Sequence, residues 1–253
     1  LPGELRRRTT LVCPKLEASR LYRLHKDVEI VIQPDPTWRI AQKRGWIVRE
    51  WLKAGYDKII MVDDDLRFAK RVSTDDWHLR QIQGEALIPE FERIVQKLGP
   101  EFPHVGFGLR WNNNRIKTVG WKSPGKLIQA VGFYLPIVVK ECRFDLVELR
   151  EDLCATLQLL LKGYPNAIWP GTVVDQRYNA PGGCSVYRTV EINSAEAEKF
   201  ASLFPGYVSV IERKYNAMSR KEVIVRWGKA LKDGQRRSRP LASGVSAHTV
   251  VSA

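Results

Sequence analysis

Lys58-Ile59-Ile60-Met61-Val62 runs without a break into Asp63-Asp64-Asp65. Four apolar residues in a row are too few for a helix and read as a strand covered on both faces. The carboxylates mark where that strand leaves the core. Upstream, the spacing predicts a helix capped by Thr37, with Ile40, Ile47, Val48, Trp51 and Leu52 on one face and Gly55 as its stop. Before it lie strands over 9–13 and 28–32, closed by Pro14 and by Pro34 with Pro36. Downstream, a helix over 84–98 ends at Gly99-Pro100. A strand over 105–109 leads into Asn112-Asn113-Asn114-Arg115, and a further apolar segment covers 130–139.

The clearest helix covers 151–162, with Leu153, Leu157 and Leu160 on one face and Gly163 as terminator. Another helix is expected over 194–204, before Pro205-Gly206. Ser219-Arg220-Lys221-Glu222 matches a capping box and predicts a last helix to Leu231. Residues 236–240 read as a linker and 241–253 as a loose tail. Strands alternating with helices predict an α/β fold with a largely parallel, Rossmann-like central sheet flanked by helices. Such sheets bind ligands beyond the carboxyl ends of their strands, where Asp63-Asp64-Asp65 lies.

The chain has 253 residues, 44% of them hydrophobic and 27% charged, which suits a folded core and excludes general disorder. No apolar run approaches the roughly 20 residues of a membrane span. The basic start, Arg6-Arg7-Arg8, is followed by no apolar segment, so a cytoplasmic protein is expected. Cys13, Cys142, Cys154 and Cys184 form no CxxC pair, which argues against a zinc ribbon or a dithiol redox site. The net charge is +13, and residues 211–240 carry ten Lys/Arg against Glu212, Glu222 and Asp233. More than half of the positive excess therefore sits near the C-terminus. It reads either as a solubilising region or as a surface for phosphate backbones.

Side chains alternate along an extended segment, so Asp63 and Asp65 are expected to face one way and Asp64 the other. A pair facing one way suits a divalent cation bridged to phosphates; a solvated acidic turn is the alternative. Arg150-Glu151-Asp152 opens the strong helix, where the helix dipole favours carboxylates and a general base would be held rigidly. Lys43-Arg44 lies on the preceding helix, with Arg44 near its apolar stripe, which reads either as a reach across the sheet edge towards the acidic site or as a solvated helix face. Asn179-Ala180-Pro181-Gly182-Gly183-Cys184-Ser185 permits a close backbone approach to a ligand. Trp111 and Trp121 are candidates to stack on a base, with core packing as the alternative.

This ordered set resembles glycosyltransferases of the A-type fold. More narrowly, it resembles the TET-associated glycosyltransferases of bacteriophages, which are associated with modification of 5-hydroxymethylcytosine in phage DNA. The narrower likeness rests on the acidic strand end, the Asn112–Arg115 loop, the run from Arg150 through Asn166, and the 179–185 loop. It covers roughly residues 9–190 and implies an A-type fold over 1–205, whereas the basic helical extension over 206–235 and the flexible tail over 236–253 are read from charge and composition alone. It makes Asp63 and Asp65 ligands of Mn²⁺ or Mg²⁺. Lys43, Arg44, Asp63, Asp64 and Arg177 become contacts to a UDP-sugar, and Asp152, with Glu151 behind it, the catalytic base. Asn112, Asn114, Arg115, Gly182 and Gly183 become acceptor or sugar contacts. The family often supplies a late His as a third metal ligand; the late candidate here is His248, in the tail, a departure that implies either a metal held by Asp and phosphates only or a weak metal dependence. The implied reaction is sugar transfer to the hydroxyl of 5-hydroxymethylcytosine in DNA, in the cytoplasm of an infected bacterium. The alternatives are a glycan, lipid or protein acceptor, a metal-dependent nuclease or phosphotransferase, and a non-catalytic DNA-binding module.

Overall fold

The computed structural model describes residues 2–73, 77–115, 119–176, 189–215 and 218–238. The chain opens with α1 (Gly3–Arg7), β1 (Thr10–Cys13), α2 (Lys15–Leu24), β2 (Glu29–Ile32) and α3 (Ile40–Lys53). β3 (Lys58–Val62), β4 (Leu66–Arg71), β5 (Leu79–Ile82), α4 (Ile88–Lys97) and β6 (His104–Leu109) follow. Next come β7 (Ala130–Tyr134), α5 (Leu135–Glu141), α6 (Glu151–Leu161) and β8 (Asn166–Gln176). The last described elements are α7 (Val190–Leu203), β9 (Val208–Tyr215), β10 (Met218–Val225) and α8 (Trp227–Ser238).

The fold is mixed α/β, and its central sheet is not the largely parallel one expected. Six strands lie in the order β3-β7-β6-β8-β4-β5, and β6–β8 is the one parallel pair. A separate parallel pair joins β1 to β2, and β9–β10 is an antiparallel hairpin. The cause is in the connections. Parallel neighbours need a crossover of a dozen or more residues, usually with a helix. The path from β6 to β8 is long enough and contains α6. β3 to β4 has no room for a helix, and β4–β5 is a hairpin. The apolar 130–139 segment splits into β7 and α5, with Pro136 at the start of the helix, where its missing N–H costs nothing.

Asp63-Asp64-Asp65 is the whole link between β3, at one edge of the sheet, and β4, four places away. The four residue steps from Val62 to Leu66 reach at most about 14 Å. Four spacings across a flat sheet would need about 19 Å. The sheet must therefore curl beneath the acidic link.

Its two faces are covered by different helices. On one, Phe68, Phe91 and Phe107 meet with ring centroids 5.4–5.5 Å apart under α4. There Glu90, fully buried, ties α4 to the sheet: it pairs with Lys70 at 2.7 Å and accepts from Thr172 Oγ1 at 2.7 Å and Trp169 Nε1 at 3.1 Å. On the other, Val48, Phe133, Phe144 and Leu159 join α3, α5 and α6. α6 is buried almost all round. Its Leu153, Leu157 and Leu160 form a further core with Phe200, Val208 and Ala230, which binds α7, the hairpin and α8 to the same body.

The C-terminal region departs from expectation in a second way. Ser219–Glu222 caps no helix; it lies in β10, paired with β9. The β-branched run Val223-Ile224-Val225 favours a strand, and its pairing with Val208–Val210 outweighs the local capping pattern. The basic extension is thus a hairpin followed by a helix, and Arg236, Arg237 and Ser238 belong to α8 rather than to a linker. α3 is capped at Arg39 rather than at Thr37, whose N–H and hydroxyl both donate to Asp35 Oδ1. α7 starts earlier than expected, behind Thr189, whose hydroxyl accepts from the Ile192 N–H.

α8 crosses α6 at Gly234, where an added Cβ would stand 2.1 Å from the Leu160 carbonyl oxygen and 2.7 Å from the Gly163 nitrogen. Gly234→Ala should therefore cost about 2–3 kcal/mol, a fall in Tm of roughly 5–10 °C for a chain of this size. Gly228→Ala, on the same helix with nothing within 4 Å of the new methyl, should hold or raise Tm. Thermal denaturation followed by circular dichroism checks both.

Candidate active site

Arg44 leaves α3 from its buried face, beside Ala41, Gly45 and Val48. Its side chain is 6% exposed, so its charge must be met inside the protein. It donates from Nη1 to Glu151 Oε1 at 2.8 Å and from Nη2 to Asp63 Oδ1 at 3.0 Å. Asp152 Oδ2 stands 3.9 Å from Nη1. One guanidinium thus gathers the end of β3 and the start of α6. Burial raises the Asp63 pKa, Arg44 pulls it the other way, and Asp152 and Asp65 add to the rise. Asp63, Asp65 and Asp152 therefore share one negative field.

Asp63 and Asp65 do not share a direction. Asp64 and Asp65 form a turn rather than an extended strand, which removes the basis for alternation. Asp63 turns to Arg44; both Asp65 oxygens accept from Gln176 Nε2, at 2.9 and 3.0 Å. Asp64 is exposed. Among the described residues, no group of three or more His, Cys, Asp or Glu is arranged to hold a metal. Gln176 Oε1 in turn accepts from Gln129 Nε2 at 3.0 Å, and the Gln129 carbonyl accepts the Asp63 N–H at 3.0 Å. Gln129 is buried and has φ +73°, a conformation that costs a non-glycine residue about 1 kcal/mol or more. This single residue supports both ends of the acidic turn.

The start of α6 is anchored as firmly. Arg150 has φ +67°. Its guanidinium donates to the Asn193 carbonyl at 3.1 Å and to the Lys221 carbonyl at 3.3 Å. The Glu196 carboxylate accepts the Glu148 and Leu149 N–H groups at 2.5 and 3.3 Å. Glu151 is 4% exposed and held by Arg44, whereas the Asp152 side chain is 17% exposed. Asp152 Oδ1 accepts the Leu153 N–H at 2.7 Å. Of the two carboxylates, Asp152 is the one open to solvent. One turn on, Thr156 Oγ1 donates to the Asp152 carbonyl at 2.9 Å and lies 3.2 Å from His104 Nδ1. With its hydroxyl proton committed, Thr156 accepts from Nδ1–H, which makes His104 the Nδ1 tautomer. Burial, with Arg44 adding to it, pushes the His104 pKa down to about 3.

The other expected residues are spread more widely. Lys43 lies close enough to Cys13 to bear on its thiol. Asn112 to Arg115 belong to a short 3₁₀ turn, Arg110–Arg115, at the end of β6. Asn112 is half-buried, and the side chains of Asn114 and Arg115 lie outside the described residues. That turn sits by β8 through Arg110 and Asp175, 3.6 Å apart. Trp111 is 52% exposed with Lys126 Nζ 5.7 Å from its ring, while Trp121 packs on Trp169 at 5.3 Å. Arg177, Gly182, Gly183, the rest of the 179–185 loop, Cys184 and His248 lie outside the described residues. Gln129, His104 and Glu196 carried no signal in the sequence, and Arg150 reads there only as part of the Arg150-Glu151-Asp152 helix start. Gln176 is the neighbour of Arg177, the residue expected to contact the donor.

No family model matches the chain, and no solved structure matches it. Two curated proteins are similar to it: the beta-glucosyl-HMC-alpha-glucosyl-transferases of Enterobacteria phages T2 and T6. Each is 26% identical over 195 residues, covering 70% of this chain and 65% of the phage protein. The chain thus spans just under two thirds of the length of these relatives.

Two predictions follow from the Arg44 hub and its neighbour His104. Arg44→Met leaves buried carboxylates uncompensated and should cost about 3–5 kcal/mol by urea denaturation. Arg44→Lys should restore only part, because one ammonium cannot fork between Glu151 and Asp63. Unfolding lets His104 take up a proton between about pH 3 and its unfolded value near 6.5. Stability should therefore rise with pH across that window and be lost as pH falls, by up to about 1.4 kcal/mol per pH unit. His104→Gln should remove that part of the slope.

Proposed function

We propose that this protein transfers a hexose from a UDP-sugar to the hydroxymethyl group of 5-hydroxymethylcytosine in DNA. The observation that carries the reading is the joining of the Asp63–Asp65 link to the Asp152 helix start through Arg44, in a chain similar to the phage transferases. The net charge of +13 supports a polyanionic acceptor. Asp152, the more open carboxylate at a rigid helix start, takes the proton from the acceptor hydroxyl. Glu151 and Arg44 act through it and through Asp63, holding both in place. Lys43, Asp64 and Arg177 are the donor contacts in this reading, and Asn112, Asn114, Arg115, Gly182 and Gly183 the contacts to the acceptor or the sugar.

In this reading Mn²⁺ or Mg²⁺ would be shared between protein and substrate, and Asp65 would turn from Gln176 to join Asp63. Such ions are commonly held by one or two carboxylates plus substrate phosphates. The like-charge crowding at Asp63 is the feature that a cation relieves. Asp63 and Asp65 are its ligands in this reading, with the donor diphosphate completing the set. When bound, the metal offsets negative charge on the departing diphosphate.

A second acceptor is favoured by the relatives' names, which specify a hydroxymethylcytosine that already carries a glucose. Transfer to that glucose needs the same donor site and a different hydroxyl. Incubation of hydroxymethylated and of glucosylated hydroxymethylated DNA with Mn²⁺ and a panel of UDP-sugars that includes UDP-glucose, followed by nucleoside mass spectrometry, separates the two. A hexose gain on the first substrate supports the primary reading, a gain only on the second supports the alternative, and no gain with any donor overturns both. Asp152→Asn should keep UDP affinity and lose about 10²–10⁴-fold in turnover. Near-wild-type turnover would remove it as the base.

A further inference from the structure

We propose that the β9–β10 hairpin is the surface on which this protein holds the DNA backbone, with Arg213 and Arg220 at its centre. The inference rests on the DNA reading above and names the surface that serves the site. Residues 206–238 carry nine Lys/Arg against three acids, a net charge of +6. The register sets Arg213 directly opposite Arg220, on one face with Ile211, Glu222, Ser209 and Ile224. The opposite face carries Val208, Val223 and Val225, which pack into the core around α6, so the arginine face points outward. Arg213 is exposed.

Like charges directly across an antiparallel pair are unfavourable, with Cβ atoms only about 5 Å apart. Glu222 meets Arg220 at 2.7 Å and is the acid on that face of the described hairpin. Arg213 and Arg220 with Glu222 give this face of the described hairpin a net positive charge, which suits a phosphate. Guanidinium forks suit phosphate oxygens better than ammonium groups do. A two-stranded ribbon is also narrow enough for the major groove of a duplex.

The hairpin is fixed to the site by the chain itself. Arg150 donates to the carbonyl of Lys221, the residue after Arg220. Arg150 also immediately precedes Glu151 and Asp152. A second tie, Lys221 to Glu198, fastens β10 to α7. Backbone held at Arg213 and Arg220 thus lies beside the opening of α6, and the neighbouring nucleotide is carried towards Asp152.

The test is the double variant Arg213→Gln/Arg220→Gln in the full chain. Fluorescence anisotropy with a labelled duplex containing 5-hydroxymethylcytosine is read across a salt series. Loss of two phosphate contacts should lower the slope of log K against log salt by about 2. Binding should weaken roughly tenfold at moderate salt. KM for long DNA should rise with kcat, Tm and UDP binding unchanged. Arg213→Lys/Arg220→Lys, which keeps the charge, should keep most of the slope, guarding against a folding defect. An unaltered slope in the Gln variant overturns the proposal. So does a wild-type protein that ignores DNA yet binds phosphatidylserine–phosphatidylcholine vesicles. If the wild type transfers no sugar to DNA while the slope still falls, the interface stands and the transferase reading fails.

Discussion

The buried guanidinium of Arg44 is the constraint on which the rest depends. A cation with 6% of its side chain exposed has to be met by acceptors of matching geometry. Here those acceptors come from the end of β3 and the first turn of α6. The planar fork lets one residue set the relative positions of Glu151 and Asp63, which are far apart in the chain. Lysine, as a point charge on a flexible stem, lacks that geometry. The acidic turn and the helix start are consequently one unit, and a shift in either is felt by the other.

That unit is backed by apolar packing. α6 is shared between the core under the sheet and the core that holds α7, the hairpin and α8. Its first turn cannot move as an independent loop would. The left-handed Arg150 and the Glu196 carboxylate fix the chain just before it, spending a charged side chain on backbone groups at each point. The strained Gln129 does the same beneath the acidic turn. Conformations that cost energy recur around the candidate site, where surrounding contacts over-determine them.

What could be read in the sequence was what local chemistry decides. β3 ends at Val62 because an apolar run meets three carboxylates, and α6 begins at Glu151 and stops before Gly163, whose φ of +91° suits glycine. An arginine beside an apolar stripe left two readings for Arg44, a solvated helix face or a reach towards the acidic strand end, and the structure shows the second. Strand partners were not visible, because β7 and β8 come from distant parts of the chain and their direction depends on what connects them. The capping pattern at Ser219 misled because a cross-strand partner outweighs a cap. The direction of Asp65 misled because the strand turns one residue earlier than alternation requires. The roles of Gln129 and Gln176 were not legible, since a neutral amide gains its meaning only from the groups it reaches in three dimensions.

The three-residue link between β3 and β4 has a consequence in time. The strands that it skirts, β7, β6 and β8, are all made after it, and Gln176, which holds Asp65, lies more than a hundred positions downstream. Contacts so distant in sequence carry a loop-closure cost before they return any stabilisation. The acidic turn therefore cannot take its working shape on a growing chain. Until β8 has joined the sheet, the carboxylates have neither the curled platform beneath them nor the amide that holds Asp65. The geometry of the candidate site is completed only by late assembly, so nascent forms of the protein carry the acidic residues without the site.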